Sequence, residues 1–573
     1  MKAWQQEYID TVRRIRDEGE GLSRQEARAL KGRCDRLLSE ELFPELDGLY
    51  GASAQDLADL RAFADVLSDG LTNLDTSLCA TIYDALVSLA RARRDRAGLI
   101  RELYKLGNAL FFQRRMVMGV ADEEADAFAF RNEMVYTEAA SFLRWFEEIG
   151  DEEARGCIVR SIANIALCAK NRHRRIAASA RMLELTKDER MRALAPGLPW
   201  EHFRTRTHQQ MSSNRSVLSR GDLSRQELMQ VLDSCYVVFF SEEKADQRNV
   251  RWLWPYYEME YSCGYVSLEV TMGRLEGLIR STEPGRYDVP GLYGNIQLPI
   301  YYGRLMAANP ELFDDAHHLA FLNEAYERMM DTFRAVPPEA RGDNFFYNVT
   351  LVISDEVERE GILSYREITK ELMGMLGGSL MAKGRLAGRL LVRFAKAMLA
   401  RDPACFDELP FLAEEEGPEA RRQAVLSYAA ECGMYADFGL IKMNLERLMR
   451  TRRLLESEER MYRLHTVSGW YDLKNRASTE RFADPALGHH AYYDGSGGYP
   501  GRYERTASPY RSMTDAVAVA MRLLERGDET PEEAVEAVFA DEGTRFSPLV
   551  TAALADCREA VLRELEAEES AFF

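Results

Sequence analysis

The stretch Leu57-Ala-Asp-Leu-Arg-Ala-Phe-Ala-Asp-Val-Leu67 places its large apolar residues three and four positions apart, which is the spacing of one helix face. The same period returns in residues 103–112. A Ser or Thr followed three residues later by Glu, the capping-box signature of a helix start, precedes further amphipathic runs at Ser23/Glu26, Ser224/Glu227, Ser364/Glu367 and Thr530/Glu533. Alternating strand-like runs joined by hairpin turns are nearly absent. The sequence therefore predicts an all-α fold.

The composition is that of an ordinary folded protein with an acidic surface. Of the 573 residues, 46% are apolar and 29% are charged, which argues against disorder. The formal net charge is −19, and a surface this acidic repels phosphate backbones. Binding to DNA or RNA is therefore not expected. The basic run at residues 172–175 is interpreted as a solvated helix end.

Cysteine usage and hydropathy indicate the compartment. The nine cysteines are odd in number and include no CxxC pair, a pattern typical of reduced thiols in the cytoplasm. Residues 1–7 lack the apolar core of a signal peptide. The purest apolar run, residues 237–240, is far shorter than the roughly 20 residues that cross a bilayer. We therefore expect a cytoplasmic protein without a membrane segment.

Breaks rich in Pro and Gly suggest the domain organisation. They fall at residues 194–200, 281–299 and 335–343. We predict that residues 1–360 form a tetratricopeptide-like helical array, in two subdomains of about 1–195 and 200–360, whose surface binds a protein partner. Within it, His317 and His318 are adjacent on a helix and do not share a face, so the pair is not predicted to hold a metal. Residues 365–573 form the second predicted domain.

Three of the eight histidines, His465, His489 and His490, fall close together in that second domain. The adjacent pair stands at a predicted helix end before a Gly-rich loop, which frees both imidazoles to converge on one point. Upstream, Asp437 interrupts an apolar helical run, and a buried carboxylate requires a cation, a metal or several hydrogen bonds. Three neutral imidazoles and one carboxylate predict a site for one divalent metal, either Fe, Mn or Zn.

Several short motifs surround these histidines in a fixed order. The pair is followed by Asp494-Gly-Ser-Gly-Gly-Tyr-Pro500, and it is preceded by His465-Thr-Val-Ser-Gly469. Downstream lie Thr530-Pro-Glu-Glu-Ala534 and Gly543-Thr-Arg-Phe-Ser-Pro548. Together they resemble the motifs of the HD-GYP family of bacterial phosphohydrolases, with one extra glycine in the Gly-Tyr-Pro loop. The resemblance covers about residues 365–573 and implies a helical domain that binds metal ions and hydrolyses cyclic di-GMP.

The resemblance implies one complete metal site. Asp437, His465, His489 and His490 match the four ligands that the family uses for one of its metals. The resemblance also implies catalytic roles for Asp437 and His465.

The ligands of the family's second metal are depleted in this chain. Its two histidines are replaced by Ala382 and Ala436, and its late aspartate is matched only loosely by Asp515. Leu440 stands where the family has a phosphate-binding lysine, and Lys442 lies two residues out of register. The resemblance therefore implies one retained metal site beside a dismantled one.

The loop after the histidine pair has two interpretations. By resemblance, Asp494, Gly495, Tyr499 and Pro500 belong to a substrate-side surface that also contacts partners. Alternatively, the segment is a Gly-rich turn in which Asp494 accepts hydrogen bonds from nearby backbone amides.

Three functions follow as alternatives. The first is a signalling protein whose degenerate HD-GYP-like domain keeps a metal or nucleotide site but has little or no phosphodiesterase activity. The second is an active phosphohydrolase that uses a single metal on a cyclic dinucleotide or another nucleotide. The third is a non-catalytic helical scaffold. The expected partners are a cyclic dinucleotide and a protein bound by residues 1–360, and the sequence leaves a homodimer open.

Overall fold

The computed structural model describes residues 1–18, 22–68, 74–114, 123–214, 222–241, 250–355, 364–376, 378–443, 451–527 and 529–567. Regular structure within these ranges is helical, apart from two isolated bridges at Ala491–Gly498 and Glu542–Phe546. The predicted all-α fold is confirmed. None of the helices described is both long enough and sufficiently apolar to pass through a bilayer.

Eighteen α-helices are described up to residue 355. In chain order they are α1 Ala3–Glu18, α2 Arg24–Leu37, α3 Phe43–Asp47, α4 Ala54–Leu67, α5 Thr76–Ala92, α6 Arg96–Arg114, α7 Glu123–Ser141, α8 Glu152–Cys168, α9 Arg172–Lys187, α10 Glu189–Leu194, α11 Trp200–Ser212, α12 Arg225–Phe239, α13 Val250–Ser262, α14 Leu268–Ser281, α15 Val289–Leu292, α16 Leu298–Ala308, α17 Ala316–Ala335 and α18 Asp343–Ile353. Short 3₁₀ or π segments lie at Leu38–Leu42, Leu49–Gly51, Phe142–Trp145, Tyr293–Gln297, Pro310–Asp314 and Pro338–Ala340.

Nine more α-helices are described from residue 364 onward. They are α19 Tyr365–Leu376, α20 Gly378–Arg401, α21 Pro418–Tyr435, α22 Glu456–Arg463, α23 His465–Lys474, α24 Ala483–Gly488, α25 Arg511–Leu524, α26 Pro531–Ala540 and α27 Pro548–Ala567. Short 3₁₀ segments lie at Pro410–Glu414, Phe438–Lys442, Glu480–Phe482 and Arg505–Ala507.

The chain divides into two compact units. The first unit comprises Met1–Val12, Asp35–Arg115 and Asp126–Leu363, and the second comprises Arg13–Cys34, Met116–Ala125 and Ser364–Phe573. The two early segments of the second unit have no counterpart in the predicted domain boundaries. The repeat character of residues 1–360 and its division into two subdomains stay predictions.

The apolar periodicity and the capping boxes of the sequence correspond to buried faces and capped starts in several helices. In α4 the apolar residues of the quoted stretch are buried, and Ser53 and Asp56 cap its start by exchanging hydrogen bonds. Reciprocal capping boxes are also formed at Ser224/Glu227 and Thr530/Glu533. Each box satisfies backbone N–H groups that would otherwise lack a partner at the first helical turn.

In the first unit, helices that follow one another in sequence pack together, including α5 with α6, α8 with α9, and α11 with α12. One core forms around Ile158, Ile162 and Met182 of α8 and α9, closed by Trp200 and Phe203 of α11. Burial of such apolar surface is the main favourable contribution to the stability of a folded core.

The second unit is organised around α20, which packs against α21, α25 and α27. Its apolar face is fully buried along Leu386, Leu390 and Phe394. At the crossing with α21 the two backbones touch, because a Cβ on Gly433 would overlap the backbone of Gly388. This close approach brings the residues of α20 next to the segment that follows α21.

Candidate metal centre

Asp437 lies directly after α21, at the start of the 3₁₀ segment Phe438–Lys442, and its side chain is only 5% exposed. Apolar residues on both sides, Tyr435 and Phe438 among them, bury this turn. Oδ2 of Asp437 accepts a hydrogen bond from Nζ of Lys383 at 2.6 Å. Oδ1 is buried and has no hydrogen-bond partner among the described residues. A buried carboxylate oxygen without a donor marks a place where a cation could bind.

A contact between two glycines brings His465 to this carboxylate. His465 is the first residue of α23, and a Cβ on Gly439 would overlap its carbonyl oxygen. Gly469, one turn further along α23, faces the same 3₁₀ segment. Because neither glycine carries a side chain, the turn after Asp437 packs backbone to backbone against the start of α23.

The tautomers of two imidazoles follow from their backbone contacts. Nδ1 of His465 lies 2.6 Å from the carbonyl oxygen of Tyr462, and Nδ1 of His489 lies 3.2 Å from that of Pro485. A carbonyl oxygen can only accept, so both Nδ1 atoms carry the proton. In the neutral rings each Nε2 is then an unprotonated lone pair. Such an outer hydrogen bond is the usual way in which proteins orient a metal-binding histidine.

The three candidate ligand atoms form a small triangle. Nε2 of His465 and Nε2 of His489 are 3.2 Å apart, and Oδ1 of Asp437 lies 3.5 and 3.6 Å from them. A point equidistant from three atoms so spaced lies about 2.0 Å from each, which matches zinc–nitrogen and zinc–oxygen bond lengths of about 2.0–2.2 Å. The residues therefore fit a first-row divalent ion.

Protonation of the histidines does not readily supply the positive charge that a metal ion would bring to this site. Burial lowers the pKa of His465 to about 4 and holds that of His490 well below its usual range. For Asp437, burial acts to raise the pKa, but the charge of Lys383 outweighs it and keeps the pKa well below normal. Near neutral pH the imidazoles of His465 and His490 are therefore uncharged beside the ionised carboxylate of Asp437, and neutral imidazole and ionised carboxylate are the forms that bind metal.

His490 completes the histidine group. A ligand nitrogen from each of His465, His489 and His490 lies within 4.8 Å of the other two. Nε2 of His490 is buried and has no hydrogen-bond partner among the described residues. Its nearest carboxylate is that of Glu525, with Nε2 3.8 Å from Oε2. The ring of His490 stacks on that of Tyr499, with centroids 4.5 Å apart.

The structure adds two charged residues that the sequence interpretation missed. Nζ of Lys383, on α20, donates to Oε1 of Glu525 at 2.8 Å as well as to Asp437. Glu525 caps the end of α25 and also accepts from the hydroxyl of Tyr462 at 3.0 Å. One sequence signal was present, because Lys383 lies three and four residues before Leu386 and Ala387 and therefore falls on the apolar face of its helix.

The loop after the histidine pair is held by its own backbone and by a second motif. The N–H of Tyr499 donates to the carbonyl of His490 at 3.2 Å, and the N–H of Asp494 donates to that of Thr544 at 3.0 Å. The exposed Asp494 carboxylate accepts from the N–H of Ser496 at 2.8 Å, as the turn interpretation predicts. Gly495 has a φ of +75°, which suits glycine. The Tyr499–Pro500 peptide bond is cis.

Two other residues with predicted or weighed roles are engaged elsewhere. Both carboxylate oxygens of Asp515 are bound by the guanidinium of Arg505, with one bond at 2.8 Å, so the structure does not bring Asp515 into the histidine group. Lys442 is buried and donates to Asp472 at 2.7 Å. These ion pairs account for both side chains without a metal or a phosphate.

A second, smaller group lies in the first unit. Ligand atoms of Glu276, His317 and His318 lie within 4.8 Å of one another. Nε2 of His317 is 3.1 Å from Oε1 of Glu276, and the Tyr302 hydroxyl lies 2.9 Å from that oxygen and 2.6 Å from Nδ1 of His318. The sequence placed the two histidines side by side but gave no sign of Glu276. Hydrogen bonds therefore join Glu276, His317, His318 and Tyr302 into one connected group.

Comparison of the chain with protein families, with curated proteins and with solved structures finds no match.

Proposed function

We propose that residues 365–573 form a signalling domain that resembles the HD-GYP phosphohydrolases, binds one divalent metal ion, and hydrolyses cyclic di-GMP weakly or not at all. The observation that carries the proposal is the pair of Nε2 lone pairs of His465 and His489, 3.2 Å apart beside the unpartnered Oδ1 of Asp437. Two lone pairs and an anionic oxygen repel one another unless a cation lies between them.

These residues would each contribute to one ion. His465, His489 and Asp437 would hold it, and His490 is near enough to act as a further ligand or to contact what the ion binds. A bound Fe, Mn or Zn ion would supply a positive charge that polarises a phosphate oxygen and lowers the pKa of a coordinated water. The backbone carbonyls of Tyr462 and Pro485 keep both imidazoles in the tautomer that binds.

Weak turnover follows from the missing charges. By resemblance, the ligands replaced by Ala382 and Ala436 would have held a second ion, and Leu440 replaces a lysine that would contact phosphate. Each such electrostatic donor is typically worth about 3–4 kcal/mol, or roughly 10²–10³ in rate. Lys442 is bound to Asp472 in the protein interior, which supports the view that it does not replace the lost lysine.

The surroundings of Tyr499 support an anionic ligand. The guanidinium of Arg463 lies 5.6 Å from the Tyr499 ring, and that of Arg545 lies 5.8 Å from the ring of Tyr492. Arginines beside partly exposed aromatic rings suit the phosphates and bases of a nucleotide. A cyclic dinucleotide is the ligand that the resemblance implies, and it would lie along this loop with Asp494, Gly495 and Pro500.

For the rest of the molecule we propose a cytoplasmic location and a partner-binding first unit. All nine cysteines are free, and six of them are buried, which fits a reducing compartment. The first unit exposes the aromatic side chains of Tyr236 and Phe240, packed against Tyr256. Exposed aromatic residues of this kind are common at protein-binding surfaces.

Metal analysis of the purified protein tests the proposal. We expect about one equivalent of Fe, Mn or Zn per chain, lost in His489→Ala and in His465→Ala. The matched control is His173→Ala, which removes an exposed histidine that pairs with Glu227. Absence of metal in the correctly folded wild type would contradict the proposal and leave the scaffold alternative.

A hydrolysis assay then separates weak from efficient catalysis. With cyclic di-GMP as substrate and the metal-loaded protein, we expect turnover at least 10²-fold below that of a two-metal phosphodiesterase assayed in parallel. Comparable rates, abolished in His465→Ala, would support the alternative of an active phosphohydrolase with a single metal.

A further inference from the structure

A second group of ligand atoms adjoins the candidate metal centre and surrounds an ammonium. Nζ of Lys383 lies 2.6 Å from Oδ2 of Asp437 and 2.8 Å from Oε1 of Glu525. Asp437 thus has one oxygen on the imidazole side and the other on the lysine side. The lysine side chain is 19% exposed, so this cation is held largely away from solvent.

The same neighbourhood holds polar atoms that the lysine does not use. Oε2 of Glu525 faces Nε2 of His490 at 3.8 Å, and that nitrogen has no hydrogen-bond partner among the described residues. With Lys383 removed, Oδ2 of Asp437, the Glu525 carboxylate and Nε2 of His490 would be two oxygen donors and one nitrogen donor around a gap. This is a donor set that first-row divalent ions accept.

Charge balance explains why a cation must occupy this gap. Asp437 and Glu525 are two carboxylates that share one donor, and like charges so placed in a poorly solvated site are costly unless a positive charge lies between them. An ammonium and a metal ion satisfy the same requirement. They cannot do so together, because Nζ already lies at hydrogen-bonding distance from both carboxylates.

We propose that the ammonium of Lys383 takes the place of a second metal ion and thereby restricts the centre to one. The inference rests on the proposed metal site and deepens it, since it names the residue that sets the number of ions. Lys383 is a positioning residue: it holds Oδ2 of Asp437, so that Oδ1 points at His465 and His489. Its charge is covalently fixed and does not depend on the metal supply.

The test measures the number of metal ions bound per protein chain. Wild type, Lys383→Ala and Lys383→His are loaded with Mn²⁺, desalted and analysed for metal, with folding checked by far-UV circular dichroism. The matched control is Lys396→Ala, an exposed lysine on the same helix. We expect one equivalent in wild type and in Lys396→Ala, and two in Lys383→Ala. The second equivalent should be lost when Glu525→Gln or His490→Ala is added to Lys383→Ala.

Electron paramagnetic resonance gives an independent readout. Wild type should show the spectrum of isolated Mn²⁺, whereas Lys383→Ala should show two exchange-coupled ions, because Asp437 would bridge them. If Lys383→Ala does not fold, the same two results, two equivalents of metal and an exchange-coupled spectrum, are expected for Lys383→His. Its imidazole provides a metal ligand in place of the ammonium.

The outcomes separate this inference from the proposed function. One equivalent in wild type and still one in each folded Lys383 variant would overturn the inference and leave the proposed function standing. Two equivalents of metal in the wild type would also overturn the inference, because the Lys383 ammonium would then not exclude a second ion. No metal in wild type would refute the proposed function, and this inference with it.

Discussion

The side chains of His465 and His489 meet nitrogen to nitrogen, with their Nε2 atoms 3.2 Å apart and their Nδ1 atoms directed at backbone carbonyls. Both rings therefore present lone pairs to the same point, 3.5–3.6 Å from Oδ1 of Asp437. A cation at that point would relieve the repulsion between these atoms, so the proposed metal site predicts that metal binding stabilises the second unit.

Metal should stabilise the protein against unfolding. Ions that bind only the folded chain add RT ln(1 + [L]/Kd), or about 2.7 kcal/mol at a free concentration of 100 times Kd. We expect the unfolding transition that reports the second unit to move up in temperature with added Zn²⁺ or Mn²⁺ and down with a chelator, measured by scanning calorimetry. The shift should vanish in His489→Ala. An unchanged transition in wild type across the full metal range would contradict the metal site.

The metal-free protein should lose stability in mild acid. Burial lowers the folded-state pKa of His465 to about 4, whereas an unfolded histidine titrates near 6.5. The unfolded chain binds the proton more tightly than the folded chain does. The stability of the folded state relative to the unfolded state is therefore unaffected by His465 above pH 6.5 and falls as the pH is lowered from 6.5 towards 4. The loss is on the order of 3 kcal/mol. Urea unfolding at pH 7.5 and pH 4.5 checks this.

The control for that pH dependence is His465→Gln, which cannot titrate in this range. Its stability should change less between the two pH values than that of the wild type. Equal pH dependence in both proteins would show that other groups dominate.

The close approach of Gly439 should be essential for the site. In Gly439→Ala the new Cβ would overlap the carbonyl oxygen of His465 and push the turn that carries Asp437 away from α23. Forcing an atom into such a contact typically costs about 1–3 kcal/mol. We expect that loss in chemical denaturation, together with reduced metal content. Gly501→Ala, where a Cβ meets nothing within 4 Å, is the control and should change neither.

The buried pair of Lys442 and Asp472 should matter for stability alone. Both side chains are at most 3% exposed, and burial is the main influence that lowers the pKa of Lys442. Asp472→Ala would leave the ammonium buried without its carboxylate, which typically costs about 3–5 kcal/mol. Denaturant unfolding should show this loss at unchanged metal content per folded chain. The double variant Lys442→Met/Asp472→Leu should recover most of it.

A different result would change the role assigned to Lys442. If Lys442→Met kept full stability but weakened binding of cyclic di-GMP, its side chain would act on a ligand instead of on Asp472.

The fold was predictable because its signals are local. The apolar period of α4 and the capping boxes at Ser224 and Thr530 depend on residues within one or two turns, and the structure forms them as expected. The histidine group was also open to prediction, since His489 and His490 are adjacent and His465 lies only 24 residues before the first of them.

The charged residues that pair with one another around the candidate site could not be predicted from local sequence signals. Lys383 and Glu525 are 142 residues apart, and their contact depends on how α20 packs against α25. For Asp515 the sequence could not indicate which cation it would meet, and in the structure it is Arg505, ten residues before it. Long-range pairing of charges is decided by packing, which a single sequence does not display.

The crossing of α20 and α21 has a consequence for how this protein tolerates change. Gly388 and Gly433 are in backbone contact there, and the two helices they join carry Lys383 and end just before Asp437. Any side chain at either glycine would wedge the helices apart and lengthen the distance between ammonium and carboxylate. Two glycines, which have no functional side chain, thus set the distance between Lys383 and Asp437 and with it the strength of that ion pair.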